Sequence, residues 1–311
     1  MKNKMKYMIT ISFSFIFLLM SGSLFSACNE DDAVLRDEEE DNEVNIPNGK
    51  TDNPSQTEIY LWSDGNMPAT TSYQTVANSS NPDGTDFRPY MVYYPVRQGV
   101  KVKGAVLVCP GGAFAFRSGS EGAPVAEVLS ELGYQSFVVN YRLRPYTQQE
   151  GALDLARAVR FVRLHADYYG IDADNIIVAG FSAGGILCGE QVLNYRGAVN
   201  GSSLDSNYVP DELDQVSADV KGIGHIYSFY GRLSVASTDV ELFRRSNLPP
   251  AFFCYGTNDG FANQFAACVN ALRQAGIEVE DFVLQGWPHG YGVRGNWIQA
   301  FDTWLVNLFN N

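Results

Sequence analysis

The chain is poor in histidine, with three in 311 residues, and its five cysteines follow no metal-binding spacing. Three scattered histidines offer no pair at ligand spacing, so neither a zinc site nor metal-dependent hydrolysis is expected, and no cofactor is implied. Basic residues are also scarce: 22 Lys and Arg against 35 Asp and Glu give a net charge of −13. A phosphate backbone would be repelled by that balance, which argues against nucleic acid as a partner. No internal repeat appears. Its first apolar run, Tyr7 to Met20, is too short and wrongly flanked to span a bilayer.

What is present at the start is an export signal. Lys2, Lys4 and Lys6 precede the apolar run, and small residues lead to Leu24-Phe25-Ser26-Ala27-Cys28. Residues 1–27 read as a signal peptide, and its removal takes the net charge from −13 to −16. The Ser-Ala-Cys ending resembles the bacterial lipobox, although Phe25 departs from the commoner aliphatic residue. That resemblance implies acylation of Cys28 and a lipid-anchored protein, on an outer membrane facing the periplasm or on the cell surface. Residues 28–57 carry Asp31-Asp32 and Asp37-Glu38-Glu39-Glu40-Asp41 and read as an acidic tether unable to bury apolar surface.

Residues 58–311 read as one domain. Glu58 to Trp62 and Phe87 to Val96 alternate like antiparallel strands, with a turn at Asn81-Pro82-Asp83-Gly84 between them. Six apolar runs then alternate with helices: Gly104 to Cys109, Gln135 to Tyr141, Ile176 to Ala179, Ile226 to Tyr230, Ala251 to Tyr255 and Val279 to Leu284. Strands apolar on both faces belong to a parallel sheet covered on both sides, so the fold class is α/β with a doubly wound, mostly parallel sheet. Helices are expected over Ala123 to Leu132, Ala152 to Tyr169, Gly185 to Tyr195, Ala262 to Ala275 and Trp297 to Leu308. On the second, Leu155, Val159, Val162 and Ala166 form the apolar stripe, with Arg157, Arg160 and Arg163 facing away. The polar segment Gly197 to Val220 interrupts the alternation and is expected to shape or cover the substrate pocket. Cys109, Cys188, Cys254 and Cys268 fall on apolar elements and are expected as buried free thiols.

The chemistry centres on Gly180-Phe181-Ser182-Ala183-Gly184, placed between an apolar strand and a helix-compatible run. This context is that of a nucleophile elbow, with Ser182 lifted out of the sheet. A serine needs a base. His165 lies on a helix and is expected to be exposed or packed. His225 opens an apolar strand and is expected to be a satisfied core residue. His289 lies in Trp287-Pro288-His289-Gly290, a loop at the carboxyl end of the last strand, where catalytic groups collect on such sheets. Asp259, in Gly256-Thr257-Asn258-Asp259-Gly260, follows another strand and precedes His289, as the orienting acid should. An Asp capping the next helix is the other reading of it; Asp239 and Glu241 are weaker rivals. Oxyanion donors are expected from the backbone of Ala183 and of Gly112 or Ala113 in Cys109-Pro110-Gly111-Gly112-Ala113-Phe114.

With these motifs together, the chain resembles the esterase branch of the α/β-hydrolases, and within it the bacterial acetyl-xylan-esterase-like carbohydrate esterases. Leu61-Trp62-Ser63-Asp64-Gly65, Ser120-Glu121-Gly122, Tyr141-Arg142-Leu143, the run 156–163 and Asp214-Gln215-Val216-Ser217-Ala218 carry it further. The resemblance implies an α/β-hydrolase fold and removal of O-acetyl groups from acylated plant oligo- or polysaccharides through an acyl-enzyme. Feruloyl esterase or peptidase activity on the same scaffold, and a non-catalytic glycan-binding lipoprotein, are the alternatives. Ala113-Phe114 and Ile186 depart from the pattern near the pocket.

Overall fold

The computed structural model of the chain describes residues 58–71, 83–84 and 86–310. The signal peptide, Cys28, the acidic tether and the first half of the turn, Asn81-Pro82, lie outside these. Strands β1 (Glu58–Tyr60) and β2 (Tyr90–Tyr94) pair antiparallel, Ile59 opposite Met91. From β3 (Gly104–Cys109) the chain passes through helix α1 (Ala123–Glu131) to β4 (Tyr134–Asn140). Helices α2 (Gln148–Leu164) and α3 (Ala166–Tyr169) lead to β5 (Ile176–Phe181), α4 (Ala183–Asn194) and β6 (Gly222–Ile226). A small hairpin, β7 (Gly231–Arg232) with β8 (Val235–Ala236), and α5 (Val240–Arg245) precede β9 (Ala251–Gly256). Helix α6 (Ala262–Gln274), β10 (Val279–Leu284) and α7 (Trp297–Asn310) close the fold.

Eight strands form one sheet in the order β1-β2-β4-β3-β5-β6-β9-β10. Strand β2 is antiparallel to β4, and every pair from β4 to β10 is parallel. The five strands β3, β4, β5, β6 and β9 are buried almost throughout, which their unbroken apolar runs require. Successive residues of β6 show helices on both faces. A side chain at Gly224 would meet Phe301 of α7, whereas the His225 ring lies beside Gly189 of α4. This is the expected mixed sheet, antiparallel at its N-terminal edge and parallel elsewhere.

Three expectations need correction. The strand expected over Ile226 to Tyr230 is Gly222–Ile226. Its two glycines admit Trp304, Leu308 and Phe301 of α7 against the sheet. At Tyr227 the backbone turns to φ 40° and its N–H donates to the Cys254 carbonyl at 2.6 Å, so the aromatic run leaves the sheet.

The arginines of α2 do not face solvent: Arg157 and Arg160 are buried and Arg163 half-buried. Arg160 donates to the carbonyls of Gly197, Val199 and Val216, and Arg163 to those of Ser217 and Asp219. Arg157 reaches the Leu61 carbonyl and the Asp211 carboxylate. An irregular segment leaves its carbonyls without ladder partners, and a guanidinium with five donors can serve several at once. The segment 197–220 is thereby fastened over α2 and contributes nothing to the pocket beside Ser182. The apolar-stripe pattern cannot reveal this, because buried arginine and exposed arginine look alike in sequence.

The stretches at Leu61-Trp62 and Tyr141-Arg142 meet in a buried ion pair. Arg142 and Asp154, both fully buried, pair at 2.9 Å, and the Trp62 indole N–H donates to Asp154 at 2.7 Å. Burial pushes the Asp154 carboxyl up while the guanidinium opposes it.

Candidate active site

Strand β5 delivers Ser182 at its carboxyl end, and α4 starts on the next residue. Ser182 sits at φ 49°, ψ −119°, a strained geometry for a residue with a side chain. The flanking glycines make the turn sterically possible. A Cβ at Gly180 would lie 2.3 Å from the Gly184 carbonyl oxygen, and one at Gly184 would lie 2.0 Å from that of Cys109. The Ser182 backbone is held from the next strand: its N–H donates to the Ile226 carbonyl at 3.0 Å, and Ser228 Oγ donates to its carbonyl at 2.7 Å.

His289 Nε2 lies 2.9 Å from Ser182 Oγ, and its Nδ1 lies 2.5 Å from Asp259 Oδ2. A carboxylate can only accept, so Nδ1 carries the proton and Nε2 is left to take one from the hydroxyl. The loops bearing these residues are cross-tied. Asn258 N–H donates to the Trp287 carbonyl at 3.0 Å, and Gly286 N–H to Thr257 Oγ1 at 2.8 Å. Asp259 is buried, and its Oδ1 accepts the Phe261 N–H at 2.9 Å at the entry to α6. The capping reading of Asp259 does not hold: α6 starts after Phe261 with no side-chain cap, and Oδ1 instead holds the turn that precedes the helix.

The loop after β3 supplies the other side. Gly112, Ala113 and Phe114 have φ of 129°, 54° and 56°, a run that only a tightly held turn sustains. Among the described residues, the backbone N–H groups of Gly112, Ala113 and Ala183 make no hydrogen bond. They remain available as donors to a developing oxyanion. Between Ser182 and His289 opens a cavity of about 30 Å³, walled by Ile186, Phe229, Leu233, Phe261 and Phe265. Such a space holds one or two water-sized groups. Among the described residues no cluster of three metal-ligating side chains exists.

The remaining sequence candidates lie elsewhere. Asp239 is exposed and caps α5 by accepting the Leu242 N–H at 2.9 Å, and Glu241 pairs with Arg244. His165 is half-buried, its ring stacked on Phe161 and its Nδ1 2.8 Å from the Phe161 carbonyl. His225 is fully buried, but neither ring nitrogen has a partner among the described residues, so the expected satisfied histidine is not found. Desolvation lowers its pKa to about 3 and keeps it neutral. The four cysteines are buried and free, and burial pushes the thiols of Cys254 and Cys268 up to about 12. Such thiols are poor nucleophiles.

One buried carboxylate beside the site was not picked out for chemistry. Glu121 is 5% exposed and accepts the Gly111 N–H at 2.7 Å on one oxygen and the Tyr227 hydroxyl at 2.7 Å on the other. The sequence marks Ser120-Glu121-Gly122 as a stretch of resemblance but gives the carboxylate no partner.

A serine, histidine and aspartate at the carboxyl ends of three parallel strands, on this strand order, define an α/β-hydrolase. Residues 91–241 match the model of the BD-FAE family, an α/β-hydrolase esterase family. The endo-1,4-beta-xylanase B of Butyrivibrio fibrisolvens is 28% identical over 237 residues, covering 70% of this chain and 36% of its own length. An acetylxylan esterase of Xylanibacter ruminicola is 28% identical over 229 residues, covering 66% and 44%. The chain thus spans less than half the length of either relative. Among solved structures, the acetyl ester-xyloside bifunctional hydrolase of Caldicellulosiruptor lactoaceticus shares the fold. Its TM-score is 0.61 at 23% identity, over 81% of this chain and 96% of that one. Thermogutta terrifontis esterase 2, phosphoramylated by tabun, gives 0.58 at 18% identity, over 82% and 95%. The chain thus has the α/β-hydrolase fold and is similar in sequence, over part of their length, to an acetylxylan esterase and a xylanase.

Proposed function

We propose that the protein is a serine carboxylesterase that removes O-acetyl groups from xylan-type polysaccharide side chains through an acyl-enzyme. The observation that carries this reading is the linear relay from Ser182 Oγ through His289 to Asp259, opening beside a cavity of about 30 Å³. Ser182 Oγ attacks the ester carbonyl as its proton passes to His289 Nε2, and Asp259 steadies the imidazolium without taking the proton. The negative oxygen of the tetrahedral intermediate is met by the N–H groups of Ala183 and of Gly112 or Ala113. His289 then protonates the departing sugar oxygen, and water reverses the sequence to release acetate.

The acyl assignment follows from space and polarity. A small apolar acyl group suits a cavity walled by Ile186, Phe229, Leu233, Phe261 and Phe265 beside the serine. The sugar alcohol is larger and polar and belongs on the open side of the serine. The sequence relation to an acetylxylan esterase supports the same substrate class. We further propose, from the residues up to Cys28, an exported lipoprotein tethered by residues 28–57.

The test is a panel of acetylated and feruloylated xylo-oligosaccharides read by mass spectrometry. Loss of acetyl groups with ferulate retained is the expected result. Release of ferulate with acetyl groups retained, or no release of either, contradicts the reading.

A further inference from the structure

We propose that Glu121 is a positioning residue that clamps the oxyanion loop to the histidine side of the site. The proposal rests on the serine-esterase reading above. Glu121 touches neither Ser182 nor His289 through any hydrogen bond among the described residues, yet it joins the segments that surround both.

On one side its Oε2 holds the Gly111 N–H, at the root of the loop. Gly111 is wedged against the elbow: a Cβ there would lie 2.9 Å from Ser182 Cβ and 2.6 Å from the Phe181 carbonyl oxygen. The three positive-φ residues that follow are tied by Ala115 N–H to the Gly112 carbonyl, Ser118 N–H to the Gly111 carbonyl, and Arg144 N–H to the Phe114 carbonyl. The Arg144 guanidinium also reaches the Ala113 carbonyl. These ties shape the loop. Among the described residues, only the Gly111 to Glu121 bond fixes its root by a buried charge-assisted contact, the stronger kind.

On the other side Oε1 accepts the Tyr227 hydroxyl, which itself accepts the Gly292 N–H at 3.3 Å. Gly292 lies three residues past His289, and the Tyr227 ring packs 4.8 Å from the His289 ring, centroid to centroid. Both neighbours of Glu121 are donors, and a carboxylate accepts from both at once. The donors to the oxyanion and the floor under the base are therefore set by one side chain. Its loss leaves an unpaired buried N–H and lets the loop shift relative to Ser182, which acts on the transition state and not on substrate binding.

The test uses a fluorophosphonate, whose phosphorus bonds to Ser182 Oγ as the P–F bond breaks. Fluoride leaves, the serine proton passes to His289, and the phosphoryl oxygen occupies the oxyanion position. Phosphonylation rate at Ser182, kcat and KM on an acetyl ester, and the thermal unfolding midpoint are measured for the wild type, Glu121→Ala, Glu121→Gln and Tyr227→Phe. Glu121→Ala should lose about 100-fold in phosphonylation rate and in kcat, with KM nearly unchanged. Glu121→Gln keeps an acceptor for Gly111 and a donor toward Tyr227, and should restore most of the rate. Tyr227→Phe cuts one arm of the clamp and should lose roughly tenfold. A folded Glu121→Ala with wild-type phosphonylation, a loss confined to KM, or a loss that Gln does not restore overturns the proposal. Should Glu121→Ala not fold, wild-type phosphonylation by Tyr227→Phe overturns it instead. A wild type that neither hydrolyses esters nor reacts at Ser182 fails the serine-esterase reading itself, and is distinguished by that.

Discussion

Asp259 divides its two oxygens between His289 Nδ1, at 2.5 Å, and the Phe261 N–H, at 2.9 Å. The contact that holds the turn before helix α6 thus also fixes the direction in which the carboxylate meets the imidazole.

Replacing Asp259 by Asn keeps the shape but presents an amide where only an acceptor fits, favouring the wrong tautomer of His289. The expected loss in kcat is on the order of 10⁴-fold in the serine-protease precedent, and smaller on an activated ester. Asp239→Asn should leave kcat and KM close to the wild-type values, because Asp239 lies exposed on α5 and Asn also caps a helix. Steady-state kinetics on one acetylated substrate decides between them. Activity lost in Asp239→Asn and kept in Asp259→Asn would show the acid to be misplaced.

Leu233 stands at the tip of the β7–β8 hairpin and walls the cavity beside Ser182. Gln264 of α6 fixes that hairpin by accepting the Ala236 N–H at 2.8 Å and donating to the Ser234 carbonyl at 3.2 Å. Leu233→Ala should enlarge the cavity without moving its frame. The kcat/KM for a butyryl ester relative to an acetyl ester should rise about tenfold, as pocket contacts of one or two methylenes allow. An unchanged ratio would place the acyl group elsewhere.

His225 links the core to pH. Its folded pKa is lowered to about 3, below the unfolded value of about 6.5, so the unfolded chain binds more protons between these limits. Stability contributed by the neutral ring is complete above pH 6.5 and is lost as pH falls toward 3, at about 1.4 kcal/mol per pH unit. Urea unfolding of the wild type and His225→Phe at pH 7 and pH 5 should show the variant losing less stability on acidification. Parallel losses would mean that His225 titrates normally.

The contrast between these residues explains what the sequence could convey. Ser182, His289 and Asp259 were legible because each sits at a strand end in a glycine-marked turn, where steric demand and chemistry leave the same signature. The parallel sheet was legible because strands buried on both faces are apolar throughout. Glu121 was not, since its role comes from two donors, Gly111 N–H and the Tyr227 hydroxyl, 10 and 106 residues away. Nor were Arg157, Arg160 and Arg163, which a helical wheel assigns to water; carbonyls of residues 197–219 draw Arg160 and Arg163 inward, and the Leu61 carbonyl and Asp211 carboxylate draw in Arg157. Tyr227 to Tyr230 misled for the opposite reason. An aromatic run reads as a strand, whereas here it leaves the sheet: Tyr227 packs against His289, Phe229 lines the cavity and Tyr230 packs on His225 and Phe243.

The most direct measurement is acetate release from acetylated xylo-oligosaccharides by the wild type and by Ser182→Ala, with circular dichroism and thermal unfolding recorded on the same samples. The account predicts steady release by the wild type and none above the uncatalysed rate by a fully folded Ser182→Ala. Acetate release by Ser182→Ala at the wild-type rate would contradict it.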